Sequence, residues 1–149
     1  MKISQALAGV QVLGVDTSPF IYLVEKHPVY EGRVVSIFQE VNSGAIQAVT
    51  SMLTLTEVLT MPLAKKQPHY VREYREMLLN TQSIVAVKID QQIAERAAEL
   101  RARYGLKTPD AMQVATCLEM NCDALVTNDL GLKRVSELRV LVLDELEVD

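Results

Sequence analysis

The chain has 149 residues, of which 49% are hydrophobic and 23% charged. That is enough to bury one core and too apolar for a disordered chain. The formal charge of −4 gives no global basic field to attract nucleic acid, so any phosphate-bearing partner needs local cations or a bound metal. Cys117 and Cys122 are too few for a disulfide framework, no His/Cys set with zinc spacing accompanies them, and both read as small core residues.

No repeat, low-complexity segment or long linker divides the chain, which reads as a single domain over 1–149. Lys2 and the weakly apolar stretch after it are interrupted by Gln5 and Gln11, so a signal peptide is rejected. No apolar run is long enough to span a bilayer. A reducing cytoplasm is the expected compartment.

Val10 to Val15 is short, apolar and β-branched, the pattern of a buried strand. Ser18 and Pro19 predict an N-cap and first helical position, with Phe20 to Val24 continuing as a short helix. Val34, Phe38 and Val41 recur at helical spacing, and Asn42-Ser43-Gly44 stops that helix. Ala45 to Thr50 predicts a second strand. Thr54 to Ala64 predicts a helix in which Pro62 marks an end or a kink.

After Pro68, Val71, Tyr74 and Leu78 share one helical face. Ser83 to Ile89 reads as a third strand. Asp90 opens a long helix that Gly105 stops. Thr108-Pro109 opens the next, with Ala111, Ala115, Leu118 and Cys122 facing inward. Ala124 to Thr127 is the fourth strand, Gly131 to Ser136 a turn or short helix, and Val140 to Leu143 the fifth strand. Strands alternating with helices predict an α/β domain with a mainly parallel sheet. Ligands bind such sheets beyond the carboxyl ends of the strands.

Four acids sit where an apolar run gives way to a helix start: Asp16, Glu57, Asp110 and Asp129. Each fits a local structural role as well. Asp16 suits an Asx-turn, Thr54 to Glu57 a capping box, Asp110 the first turn of a helix, and Asp129 a turn cap. Taken together they predict more. Asp16 and Asp129 each follow a buried strand and should share one sheet edge, where helix N-termini could add Glu57 and Asp110. Converging carboxylates need a cation to stay ionised, and hard oxygen ligands suit magnesium or manganese. The remaining acids lie on polar helix faces or in the acidic tail and read as solvated. His27 and His69 read as surface residues beside prolines.

The motifs V-D-T-S at Asp16, L-T-E at Glu57, T-P-D-A at Asp110 and V-T-N-D at Asp129 resemble, in type and order, those of PIN-domain ribonucleases. Within these, the short VapC-type toxins of toxin–antitoxin pairs are the most similar. The resemblance covers about residues 10–144 and leaves 1–8 as an N-terminal extension. It implies a five-stranded sheet of order 3-2-1-4-5 flanked by helices. It also implies that Asp16, Glu57, Asp110 and Asp129 bind Mg²⁺ or Mn²⁺ and cleave RNA, leaving a 5′-phosphate and a 3′-hydroxyl.

By the same resemblance, Thr17, Ser18, Thr127 and Asn128 are polar neighbours that orient the acids. A small antitoxin is the implied protein partner, and a homodimer is expected. Lys65, Lys66, Arg72 and Arg75 form the densest basic cluster, a weak candidate for RNA contact that also fits a solvated face. A solitary nuclease without an antitoxin, or an inactive RNA- or protein-binding module, is the alternative. A phosphatase of the haloacid-dehalogenase type is disfavoured, because Ser18 stands where its second aspartate is needed.

Overall fold

The computed structural model describes residues 1–149. Its strands are β1 (Val12–Val15), β2 (Gln47–Ser51), β3 (Ile84–Val87), β4 (Ala124–Thr127) and β5 (Val140–Val142). They form one sheet of order β3-β2-β1-β4-β5, with every pairing parallel. The helices are α1 (Ile3–Ala6), α2 (Thr17–Val24), α3 (Glu31–Asn42), α4 (Leu53–Ala64), α5 (Pro68–Asn80), α6 (Gln91–Tyr104) and α7 (Thr108–Glu119). Short 3-10 turns follow at Leu130–Arg134 and Leu143–Glu145. The α/β class and the strand order expected from the sequence are both present.

Parallel strands need crossover helices, and those helices cover the sheet with two apolar clusters. One joins Leu13, Val15, Phe20, Val34, Phe38 and Tyr74; the other joins Ile93, Ala97, Leu100, Ala111, Val114 and Leu125. Val34, Phe38 and Tyr74 are buried in the first cluster. No helix is long and apolar enough to cross a membrane.

Helix α7 approaches β1 closely, and Gly14 makes this possible. A Cβ placed on Gly14 would meet Cys117 Sγ at 2.3 Å. Cys117 is therefore a packing residue, as expected. Gly105 ends α6 with φ +65°, and its N–H donates to Arg101 O at 2.8 Å.

Several local expectations shift. Residues 1–8 are woven into the core rather than appended to it: Ile3, Ala6 and Leu7 are buried, and Lys2 bridges to Glu147. The N-cap of α2 is Asp16, not Ser18, with the Asp16 carboxylate accepting from Thr17 N at 2.8 Å. The capping box at Thr54 does not form, because α4 already begins at Leu53, whose N–H donates to Ser51 Oγ at 3.1 Å. Thr54 and Glu57 thus lie inside the helix with their side chains free for other partners. Glu25 is not merely solvated; it accepts a hydrogen bond from the phenol of buried Tyr74. His27 is half-buried, and its Nδ1 accepts from Val29 N at 3.1 Å and Tyr30 N at 3.3 Å.

Candidate metal centre at the sheet edge

The order β3-β2-β1-β4-β5 changes direction between β1 and β4, and the carboxyl ends there open a crevice. Pairing of Val15 with Val126 brings the ends of β1 and β4 level. Asp16 follows β1 directly, and its N–H donates to Val126 O at 3.0 Å. Asp129 follows β4 by two residues. Glu57 projects from α4 and Asp110 from the first turn of α7.

Asp16 is held from two sides. Thr17 N donates to Oδ1 at 2.8 Å and the Thr127 hydroxyl donates to Oδ2 at 2.7 Å. The Thr127 oxygen in turn accepts from Asp129 N at 3.1 Å. Glu57 Oε1 accepts from the Thr17 hydroxyl at 2.7 Å. Asp129 also caps its own turn, with Oδ1 accepting from Gly131 N at 2.9 Å. Its capping role and its place at the edge coexist.

The charges of the other acids act on Asp16 and Asp110. Burial raises the Asp16 carboxyl above its ordinary value, the bonds from Thr127 and Thr17 oppose that, and the charge of Asp129 adds to it. Burial also raises Asp110, and the charges of Asp16, Asp129 and Glu57 push it further, with Lys107 as a partial counterweight. Like charges gathered at a half-buried edge call for a cation.

The donor chemistry fits a hard divalent ion: every candidate ligand is a carboxylate oxygen. No three His, Cys, Asp or Glu side chains stand close enough as placed to hold one ion.

Of the polar neighbours expected from the sequence, Thr17 and Thr127 touch the acids. Asn128 instead turns to Tyr22, donating from Nδ2 to the phenol oxygen at 3.3 Å. Ser18 is half-buried in α2. Lys65 and Lys66 lie at the far end of α4; Lys65 is eight residues past Glu57, about 12 Å along the helix. Arg72 lines a groove with Glu73 and Glu76.

A buried polar chain behind Glu57 escaped the sequence reading. Gln113 Nε2 donates to Thr54 Oγ1 at 2.5 Å, and Gln113 Oε1 accepts from Ser51 N at 3.1 Å. The Thr54 oxygen lies 2.7 Å from that of Thr50 and 3.3 Å from that of Thr17. Thr17 spends its one proton on Glu57, so Thr54 donates to Thr17, and Thr50 and Gln113 donate to Thr54. The available signal was a glutamine among Ala111, Val114 and Ala115 on the inward face of α7.

Comparison with known proteins agrees with this geometry. The family model for the PIN domain matches residues 14–138. No curated protein matches the chain. Among solved structures, the VapBC2 complex of Rickettsia felis, bound to a DNA fragment from its promoter, contains a chain of the same fold. It is 15% identical, with TM-score 0.71, covering 89% of this chain and 98% of that one. A chain of a toxin–antitoxin complex from Klebsiella pneumoniae is 23% identical, with TM-score 0.67 and coverage of 88% and 97%. Mycobacterium tuberculosis VapC20, a toxin that cleaves the sarcin-ricin loop, is 17% identical, with TM-score 0.67 and coverage of 85% and 98%. A parallel sheet of this order, carrying acids at its central edge and matched by the family model over most of its length, identifies the chain as a member of the PIN-domain family.

Proposed function

We propose that the protein is a Mg²⁺- or Mn²⁺-dependent ribonuclease, acting in the cytoplasm as the toxin of a type II toxin–antitoxin pair. The observation that carries this reading is the shared field of Asp16, Glu57, Asp110 and Asp129 at one sheet edge, with threonine hydroxyls aimed at two of them. The family match and the toxin structures of the same fold support it. A small antitoxin as protein partner and self-association as a homodimer belong to the same proposal.

Asp16, Glu57, Asp110 and Asp129 would hold the ion. When bound, it supplies positive charge for a phosphodiester oxygen and a water of lowered pKa. Thr127 and Thr17 N fix the Asp16 carboxylate in one rotamer. Thr17, backed by Thr54, Thr50 and Gln113, fixes Glu57. Prealigned carboxylates lose less freedom at the moment of reaction. Burial and the charges of Asp16, Asp129 and Glu57 raise the Asp110 carboxyl above its ordinary value. Neither histidine belongs to this edge, so the edge carries no histidine acid–base pair.

The test is cleavage of single-stranded RNA by the purified protein in MgCl₂ or MnCl₂, with and without chelator. Metal-dependent products ending in 5′-phosphate are expected. Asp16→Asn should lower the rate by on the order of 10²-fold or more while the far-UV spectrum stays unchanged. RNA binding without turnover in either metal would replace the enzyme by a binding module.

A further inference from the structure

The four acids are not held alike. Two hydrogen bonds fix the Asp16 carboxylate, the Thr17 hydroxyl fixes Glu57, and Gly131 N fixes Asp129. Asp110 receives no hydrogen bond, although the charges of the other three act on it. Its place therefore rests on α7. Asp16 and Asp129 follow paired strands, so the sheet sets their separation. Glu57 and Asp110 stand on α4 and α7, and no strand pairing sets the distance between two helices.

Gln113 supplies the missing connection. It lies three residues after Asp110 on α7, and Thr54 lies three residues before Glu57 on α4. Residues three apart share a helix face. The bond from Gln113 Nε2 to Thr54 Oγ1, at 2.5 Å, thus joins the two helices one turn from each acid.

The other end of the same amide is anchored to the sheet. Ser51 is the last residue of β2, and Met52 N already bonds toward β3, at Val87 O. Successive strand N–H groups face opposite neighbours, so the Ser51 N–H faces β1, whose pairing with β2 reaches only to Val49. Gln113 Oε1 accepts from that N–H at 3.1 Å. One amide ties α7 to β2 and to α4 at once.

Gln113, Thr54, Thr50 and Ser51 are all buried. Packing alone does not call for an amide here, because apolar groups of the same shape can replace a buried polar pair at little or no cost. Apolar contacts tolerate sliding, whereas hydrogen bonds of set length and direction specify one arrangement.

We propose that Gln113 is a positioning residue: it sets the span between Asp110 and Glu57 across which the carboxylate edge takes a divalent ion. Gln113 hydrogen-bonds to neither acid; it acts through the backbone of α7 and through Thr54. The inference rests on the metal-dependent reading of the edge and adds the residue that places its one unheld acid.

The test is the Mn²⁺ affinity of the full-length protein, titrated by calorimetry. Gln113→Met keeps the length of the side chain and removes both bonds; it should weaken Mn²⁺ binding about tenfold, a usual loss for a group that orients a ligand. The span matters only while both acids are present. Added to Asp110→Asn or to Glu57→Gln, Gln113→Met should therefore cost less than about twofold more. Asp123→Asn, expected to be destabilised at the opposite end of the sheet, should bind Mn²⁺ as the unsubstituted protein does, which separates positioning from lost stability. Should Gln113→Met fail to fold, Gln113→Asn carries the same comparison, since its amide is one methylene too short to reach both partners. Unchanged affinity in the Gln113 variant, or an equal loss on the acid-deleted backgrounds, would overturn the positioning role alone. An unsubstituted protein that binds no Mn²⁺ would overturn the metal-site reading and the role with it.

Discussion

The Thr17 hydroxyl donates to Glu57 Oε1 at 2.7 Å, joining the residue after the first acid to the second acid across the crevice. Thr17 also offers its backbone N–H to Asp16. One threonine thus touches two carboxylates, and it does so from the first turn of α2. The β1 strand and the start of α4 are thereby set to a common reference.

Removing that hydroxyl while keeping the shape tests its role. Thr17→Val should lower RNA cleavage about 10- to 100-fold, the usual cost of losing a group that orients a ligand. Thr17→Ser keeps the donor and should retain most of the rate. Equal rates for Val and Ser would remove Thr17 from the positioning of Glu57. The check is kcat and KM for both variants in saturating metal.

The polar chain behind Glu57 is sealed from solvent, so breaking it affects stability first. Gln113 and Thr54 are both buried. Gln113→Leu strands the Ser51 N–H and takes a donor from Thr54, at about 1–3 kcal/mol. Thr54→Val removes the hub itself and should cost a similar amount. Urea unfolding of the two single variants and the double should show losses well short of additive, because both break one network.

The acids predict a metal-dependent stability. Burial, and then the charges of Asp16, Asp129 and Glu57, raise the Asp110 carboxyl, so the ionised form is disfavoured in the folded state. That penalty is present above the folded pKa and disappears as pH falls below the ordinary carboxylate value. Asp110→Asn should therefore raise the melting temperature at pH 7 without metal, by about 2–4 °C, and make no difference near pH 3. For the unsubstituted protein, metal at a hundredfold excess over its Kd should add about 2.7 kcal/mol of stability. Asp16→Asn should abolish most of that gain. Calorimetry with Mg²⁺, Mn²⁺ and chelator reads all three comparisons.

A second pH effect lies at the opposite end of the sheet. Asp123 Oδ2 accepts from Gln11 N and Val12 N, both at 2.9 Å, and these bonds hold its carboxyl below the ordinary value. The resulting stabilisation is complete above the unfolded carboxylate pKa of about 3.9 and is lost as pH falls through the lower folded value. Asp123→Asn should lower the urea midpoint at pH 7. The two proteins should converge only once pH has fallen below the lowered folded value, where both side chains are neutral. A difference that persists unchanged at low pH would argue against the backbone bonds as its source.

The close approach of α7 to β1 makes a steric prediction. Gly14→Ala puts a Cβ 2.3 Å from Cys117 Sγ and 3.3 Å from Ala124 O. Overpacking of this kind costs about 1–3 kcal/mol. Cys117→Ala removes the sulfur, so the double variant should recover part of the loss in a thermal melt.

Asp16 and Asp129 were legible at the sheet edge because each follows a short buried strand, and two parallel neighbours must end on the same side. Ala124 to Thr127 emerged with its exact span because apolar residues fill it and polar ones bound it. The helices were legible from their apolar period and from stops such as Gly105. The strand order came only with the family resemblance, since alternation of strands and helices does not rank neighbours.

Sequence alone determined the α/β class and the parallel sheet, because periodicity and residue type are local properties of the chain. Tertiary structure decided that Glu57 answers to Thr17 rather than to its own helix N-terminus, that Gln113 and Thr54 form a sealed relay, and that Asn128 faces Tyr22 rather than the acids. It also drew residues 1–8 into the core through Ile3 and Ala6. Each of these depends on which side chains crossover connections bring face to face, and no local window of sequence contains that information.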